Sequence, residues 1–126
     1  MIPYTLNLKQ LKQEMAEKMP LEAAEVFEED KQILADRYPN PLKLSEGEQA
    51  PDFKLPNAVE ETVALSSLLQ TGPAVLVFYR GAWCPYCNLQ LETYKQLLPE
   101  LKARNAKLVA ISPQKPDQSL SQREKA

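Results

Sequence analysis

The 126-residue chain contains no histidine and only two cysteines, Cys84 and Cys87. Without histidine, one chain cannot assemble a Ser-His-Asp triad, a Cys-His nucleophile pair or a His-ligated metal site. Two cysteines cannot complete a four-cysteine zinc or iron–sulfur site without a second chain. Nor do they make the staples of a secreted multi-disulfide scaffold. No uninterrupted run of about 18 apolar residues occurs, so no segment is expected to span a membrane. The start, Met1-Ile2-Pro3-Tyr4-Thr5-Leu6-Asn7-Leu8, lacks a basic stretch followed by an apolar one, so no signal peptide is expected. Neither sign of charge dominates: 15 Lys+Arg against 17 Asp+Glu gives −2, without the clustered basic face that a nucleic-acid partner needs. What survives is chemistry carried by one cysteine pair, by carboxylates, or by nothing. The expected setting is cytoplasmic, with no membrane and no nucleic acid as partner, and there a close cysteine pair points to redox or metal chemistry more than to a structural staple.

The charge that is present is unevenly placed. Residues 1–46 hold 6 basic and 9 acidic groups (net −3), and residues 47–126 hold 9 and 8 (net +1). Between Glu61 and Glu92 the only charged residue is Arg80. So uncharged a window is expected to form core, with Arg80 the exception to explain.

Residues 7–38 read as two helices. Asn7 and Gln10 have the spacing of a capping box, and Leu8, Leu11, Met15 and Met19 follow at near-helical intervals. Pro20 stops the first helix and suits the first turn of a second, in which Ala24, Phe27, Lys31, Leu34 and Tyr38 line one face. Acidic residues load its first half and Arg37 lies near its end, complementing the helix dipole. This is a helical arm over residues 1–44, packed on its own domain or on a dimer mate.

Pro39-Asn40-Pro41 ends the arm, because a residue before proline is pushed out of the helical region. A second domain is expected over residues 45–126. Ala50-Pro51-Asp52-Phe53-Lys54-Leu55-Pro56 reads as an edge strand bracketed by prolines, and Thr62-Val63-Ala64-Leu65 as a second strand. Ser66 is a candidate cap for a short helical turn, and Gly72-Pro73 is a turn. Ala74-Val75-Leu76-Val77-Phe78-Tyr79 has the pattern of a strand buried on both faces. A helix opens at Pro85 with Leu89, Leu91, Tyr94, Leu97, Leu98 and Leu101 on its apolar face, and Pro99 predicts a kink near 95–98. Lys107-Leu108-Val109-Ala110-Ile111-Ser112 is a further buried strand, so the run forms a βαβ unit with a parallel pair. Ser119 or Ser121 starts a last helix. The fold class is α/β.

Trp83-Cys84-Pro85-Tyr86-Cys87 is the one constellation with chemistry in it. A C-x-x-C between a strand and a helix reads as a redox motif. The thiolate is the nucleophile, and a helix N-terminus, with unpaired N–H groups and about half a positive charge, favours that anion. Sites of this kind lower a cysteine pKa to roughly 3.5–7.5. Arg80 either adds a fixed positive charge or is a solvated strand-end arginine. Trp83 and Tyr86 are read as walls of the site, and Pro85 as its first helical residue. Asp52 and Glu92 are proton shuttles or, more plainly, surface carboxylates. The competing readings of the pair are half of a zinc site shared between chains, or two inert core thiols. No cofactor and no metal is called for.

Four segments together resemble a known family: Gly47-Glu48-Gln49-Ala50-Pro51-Asp52-Phe53-Lys54-Leu55, the 75–79 strand, Gly81-Ala82-Trp83-Cys84-Pro85-Tyr86-Cys87, and Leu108-Val109-Ala110-Ile111-Ser112-Pro113. They resemble the alkyl hydroperoxide reductase/thiol-specific antioxidant group, the peroxiredoxin-like branch of the thioredoxin superfamily. The resemblance covers residues 45–126 and implies a thioredoxin-like fold that reduces a hydroperoxide substrate with a thioredoxin-type reductant. Cys87 aligns with the peroxidatic cysteine of peroxiredoxins. Cys84 stands where those proteins carry threonine or serine, and Arg80 where they carry proline. The thioredoxin pattern assigns the first attack to Cys84 instead, so both orders remain open, as does a non-enzymatic module with a vestigial site. The family's active-site arginine, later strands and cis-proline would fall beyond Ala126. A thioredoxin-like fold truncated at its C-terminus is therefore expected: either the sequence is a fragment or truncated product, or another chain completes the sheet, and an open strand edge then predicts a homodimer.

Overall fold

A computed structural model describes residues 3–40 and 43–115. The chain divides into two compact units, Met1–Pro51 and Asp52–Ala126.

The first unit contains two helices, α1 (Tyr4–Lys18) and α2 (Leu21–Arg37). Leu8, Leu11 and Met15 of α1 and Met19 at its end are half-buried, as their spacing predicts, and Tyr4 joins them. The capping box does not form. Pro3 occupies the cap position and no side chain caps the helix, so Asn7 lies one turn inside it. Proline has set the backbone there: Pro3 and Pro20 both precede their helices in extended conformation with φ near −57° and −58°, the angle the ring imposes. The apolar residues of α2 are largely exposed, Phe27 and Leu34 among them.

The second unit builds two small sheets. Strands β1 (Lys54–Pro56) and β2 (Thr62–Ala64) pair antiparallel, with Leu55 opposite Val63. Their turn is organised by Asn57, whose Oδ1 accepts the N–H groups of Val59 (3.0 Å) and Glu61 (2.9 Å). Leu65 then starts the short helix α3 (Leu65–Leu69). Ser66 does not cap it. The Asp52 carboxylate does, accepting the Ser66 N–H at 2.9 Å as well as the Phe53 N–H at 2.9 Å. An anionic acceptor at exposed helix N–H groups is stronger than a hydroxyl.

The Ser66 N–H, followed by the Ser66 side chain, holds the Asp52 pKa below its ordinary 3.8. A depressed carboxylate pKa contributes stability above the unfolded-state value, lost as pH falls through the folded one. The β1–α3 joint is therefore expected to loosen as pH drops below about 4. Asp52→Asn should flatten that part of the acid-unfolding curve, which a denaturant midpoint measured against pH would read.

Strand β3 (Ala74–Phe78) runs parallel to β4 (Lys107–Ile111), Ala74 opposite Lys107 and Phe78 opposite Ile111. Helices α4 (Pro85–Gln96) and α5 (Leu98–Ala103) make the crossover. They are separate because Pro99 has no N–H to continue the ladder. Pro99 enters the first turn of α5, and Leu97 joins the two helices. The expected βαβ unit and its kink are thus present. The expectation that β3 is buried on both faces is not met: Val77 is buried, but Phe78 is 72% exposed. Among the described residues β3 has one neighbouring strand, and a two-stranded sheet lacks the cover that an all-apolar strand requires. The buried apolar side chains among the described residues are Leu65, Val77 and Cys84. The helix expected from Ser119 or Ser121 lies outside the described residues. No helix among the described residues is long and apolar enough to cross a membrane.

Candidate active site

The site lies where β3 ends and α4 begins, and its geometry follows from the destinations of the loop's backbone groups. Tyr79 donates its N–H to the Ile111 carbonyl (2.9 Å), continuing the sheet one step beyond β3. The chain then leaves the sheet, and the next N–H, that of Arg80, points at Cys87 Sγ at 3.5 Å. Cys84 donates to the Gly81 carbonyl at 3.1 Å, which closes the turn. Cys84 then takes the cap position of α4 in extended conformation (φ −88°, ψ 110°), and Pro85 follows in the first turn. Proline belongs there because its missing N–H is one that the helix start cannot satisfy anyway. One turn along, Asn88 donates its N–H to the Cys84 carbonyl at 3.0 Å, locking the helix onto the cysteine.

The two sulfurs share this junction but differ in setting. Both are free thiols, with Cys84 buried and Cys87 half-buried. Burial pushes the Cys84 thiol above its ordinary pKa of 9.0, and the facing Cys87 side chain pushes the same way. The backbone N–H groups of Cys87 and Tyr86 pull it down by less, and no side-chain hydrogen bond caps the helix. The expected acidification of a cysteine by the helix terminus is therefore reversed at Cys84. Removing a thiolate from water disfavours it more than the helix end favours it. A thiol pKa raised on folding contributes stability below the unfolded-state value, lost as pH climbs through the folded one.

Arg80 is exposed, and its guanidinium lies over the Trp83 ring, 4.9 Å from the centroid. The Arg80 group bonded to Cys87 is its backbone N–H. A guanidinium stacks well on an indole face, and that preference explains the one charged residue in the uncharged window. Trp83 is 62% exposed and Tyr86 lies at the margin of exposure, so both border the site at its surface. Glu92 pairs with Lys95 at 3.8 Å on the exposed side of α4, and Asp52 is engaged at α3. Neither carboxylate joins the cysteines. No group of three or more metal-ligating side chains occurs among the described residues.

Two residues that the sequence reading passed over hold the loop. Gln114 Oε1 accepts the Ala82 N–H at 2.7 Å, and Asn88 Nδ2 donates to the Ala82 carbonyl at 2.8 Å. Gly81 is packed between Gln114 and the tryptophan. A Cβ at Gly81 would meet Trp83 Nε1 at 2.5 Å and Gln114 Cδ at 3.0 Å. Gln114 follows β4, 32 residues from Ala82. No local pattern announces such a contact.

A strand–C-x-x-C–helix junction within a parallel βαβ unit defines the class as a thioredoxin-like α/β protein. The AhpC/TSA family model matches residues 47–126, and the chain belongs to that family. It is 38% identical over 71 residues to peroxiredoxin bcp of Helicobacter pylori strain 26695, covering 56% of this chain and 46% of that protein. It is 37% identical over 71 residues to the peroxiredoxin bcp of Buchnera aphidicola subsp. Schizaphis graminum, covering 56% of this chain and 44% of that one. The chain thus spans about half the length of the curated relatives it matches. No solved structure matches it.

Proposed function

We propose that the protein is a thiol peroxidase in which Cys87 attacks and Cys84 resolves. The observation that carries this order is the asymmetry of the pair: Cys84 is 3% exposed with a raised thiol pKa, whereas Cys87 is half-buried and receives the Arg80 N–H. A donor to sulfur favours the thiolate. The Cys87 thiolate attacks the terminal oxygen of a hydroperoxide and the O–O bond breaks: the hydroxyl stays on sulfur as a sulfenic acid, and the alkoxide takes a proton and leaves as an alcohol. The Cys84 thiol then condenses with that sulfenic acid, forming the Cys84–Cys87 disulfide and releasing water. A dithiol donor of the thioredoxin type returns both cysteines to thiols. The family membership and the peroxiredoxin relatives support the hydroperoxide as substrate.

A disulfide reductase led by Cys84 fits less well, because its sulfur would have to ionise and meet a protein disulfide from a buried position. Among the described residues β3 and β4 have no strand neighbour but each other, and unpaired strand edges recruit another strand, which supports assembly as a homodimer. The cytoplasm is the setting in which such a pair rests reduced. Stopped-flow mixing of reduced protein with hydrogen peroxide tests the activity. Oxidation faster than that of a free thiol at the same pH is expected, and a rate equal to the free thiol's contradicts it.

A further inference from the structure

Outside the cysteines, the most constrained point of the site is the backbone of Ala82. Its N–H is taken by Gln114 Oε1 (2.7 Å) and its carbonyl by Asn88 Nδ2 (2.8 Å). The two amides come from different elements, Gln114 from the segment after β4 and Asn88 from α4. Gln114 is itself oriented, because its backbone N–H is donated to Ser112 Oγ at 3.1 Å. It is half-buried and so shielded from competing water. Two residues upstream of Ala82, the Arg80 N–H rests on Cys87 Sγ. The intervening Gly81 contributes no side chain and would clash with Gln114 if it had one.

We propose that Gln114, assisted by Asn88, is a positioning residue for Cys87: by clamping both backbone groups of Ala82 it holds the Arg80 N–H on the sulfur. The proposal rests on the reading of Cys87 as the attacking cysteine. An exposed loop between a strand and a helix has many conformations, and a single N–H···S contact at 3.5 Å is too weak to select one. The Gln114 and Asn88 bonds supply the selection. They join β4 and α4 across the loop, so that the donor waits where the thiolate will form and need not be recruited during the reaction.

The test is the pH dependence of Cys87 alkylation by iodoacetamide, followed by the mass of the Cys87 peptide. Gln114→Met, of similar volume but without the carbonyl, is expected to move the alkylation midpoint up and to slow Cys87 alkylation at neutral pH several-fold, because the Arg80 N–H is no longer held on the sulfur. Asn88→Ala should move it the same way. The double variant should shift by less than the two single shifts combined, because both act through one backbone position. A purely structural role would lower stability and leave the midpoint in place. An unmoved midpoint in a Gln114→Met protein with the wild-type circular dichroism spectrum overturns the proposal. Should that variant fail to fold, amide hydrogen exchange in the wild-type chain decides. Protection of the Ala82 N–H is expected, and exchange at the rate of a free peptide overturns the clamp. Alkylation requires no peroxide, so a midpoint shift in a chain inactive toward peroxide would sink the peroxidase reading and leave the clamp standing.

Discussion

Under the proposed order, replacing Cys87 with serine is expected to lower the rate of hydroperoxide reduction by roughly three orders of magnitude or more, because the thiol that remains, Cys84, is buried away from the peroxide. Cys84→Ser is expected to behave differently. Its first reaction with one equivalent of peroxide should survive, and continued turnover with a dithiol donor of the thioredoxin type should fail. The Cys84 position tolerates serine for a definite reason. It caps α4, and serine is among the residues preferred at a helix cap. The variant thus removes the sulfur proposed to resolve while keeping a small side chain able to donate toward Cys87. Stopped-flow oxidation followed by a steady-state assay separates the two steps. Equal loss of the first step in both variants would assign the attack to the pair without distinction, contrary to the asymmetry in burial.

Gly72→Ala is expected to destabilise the second unit by roughly 3 kcal/mol or more, although the residue lies away from the cysteines in sequence. Gly72 adopts φ +144°, a conformation that residues with a Cβ rarely take. A Cβ there would lie 2.1 Å from the Asn105 carbonyl oxygen and 3.1 Å from its carbon. Those are backbone atoms and cannot rotate aside. The contact matters because it brings the turn before β3 against the turn before β4, where Lys107 donates its N–H to the Pro73 carbonyl at 2.9 Å. Lys107 reinforces the junction through its Nζ, which bonds the Leu68 carbonyl at 3.0 Å and the Thr71 hydroxyl. Moving this corner shifts the β3–β4 register on which the cysteine loop is built. For a unit of this size the midpoint of thermal unfolding should fall by about 15 °C. A decrease of only a degree or two would show that the corner yields without cost to the sheet.

The parts of the fold that were legible in the sequence are those governed by local chemistry. The 74–79 and 107–112 runs announce two strands, Pro85 the start of a helix and Pro99 its interruption. Each is a backbone or periodicity effect confined to a few residues. Legibility failed where the partner is distant or where two local effects compete. Asn7 and Ser66 are good capping residues, yet Pro3 fixes the first helix start, and Ser66 lies inside α3 with its own N–H donated to Asp52, 14 residues away. The burial of β3 was misjudged because an all-apolar strand shows what its faces need and not what covers them.

The candidate site divides the same way. The pairing of Cys84 with Cys87 follows from a three-residue spacing at a helix start. Their inequality does not, because it depends on burial that the spacing leaves unspecified. The helix terminus acts on both sulfurs in principle, but at Cys84 desolvation outweighs it. Arg80 stands out in the sequence by its charge, whereas its main-chain N–H, which no pattern marks, is the group on Cys87, and its guanidinium lies over Trp83. Gln114 and Asn88 carried no signal of their own. Their function is visible only when β4 and α4 are seen to converge on Ala82.

The order of the two cysteines is tested most directly by mass-mapping the protein after one equivalent of hydrogen peroxide, in the wild-type chain and in Cys84→Ser. The expected products are the Cys84–Cys87 disulfide in the wild type and a sulfenic acid on Cys87, trapped by a dimedone-type reagent, in the variant. A sulfenic acid found on Cys84 of a Cys87→Ser chain, with Cys87 unmodified in the Cys84→Ser chain, would contradict the account.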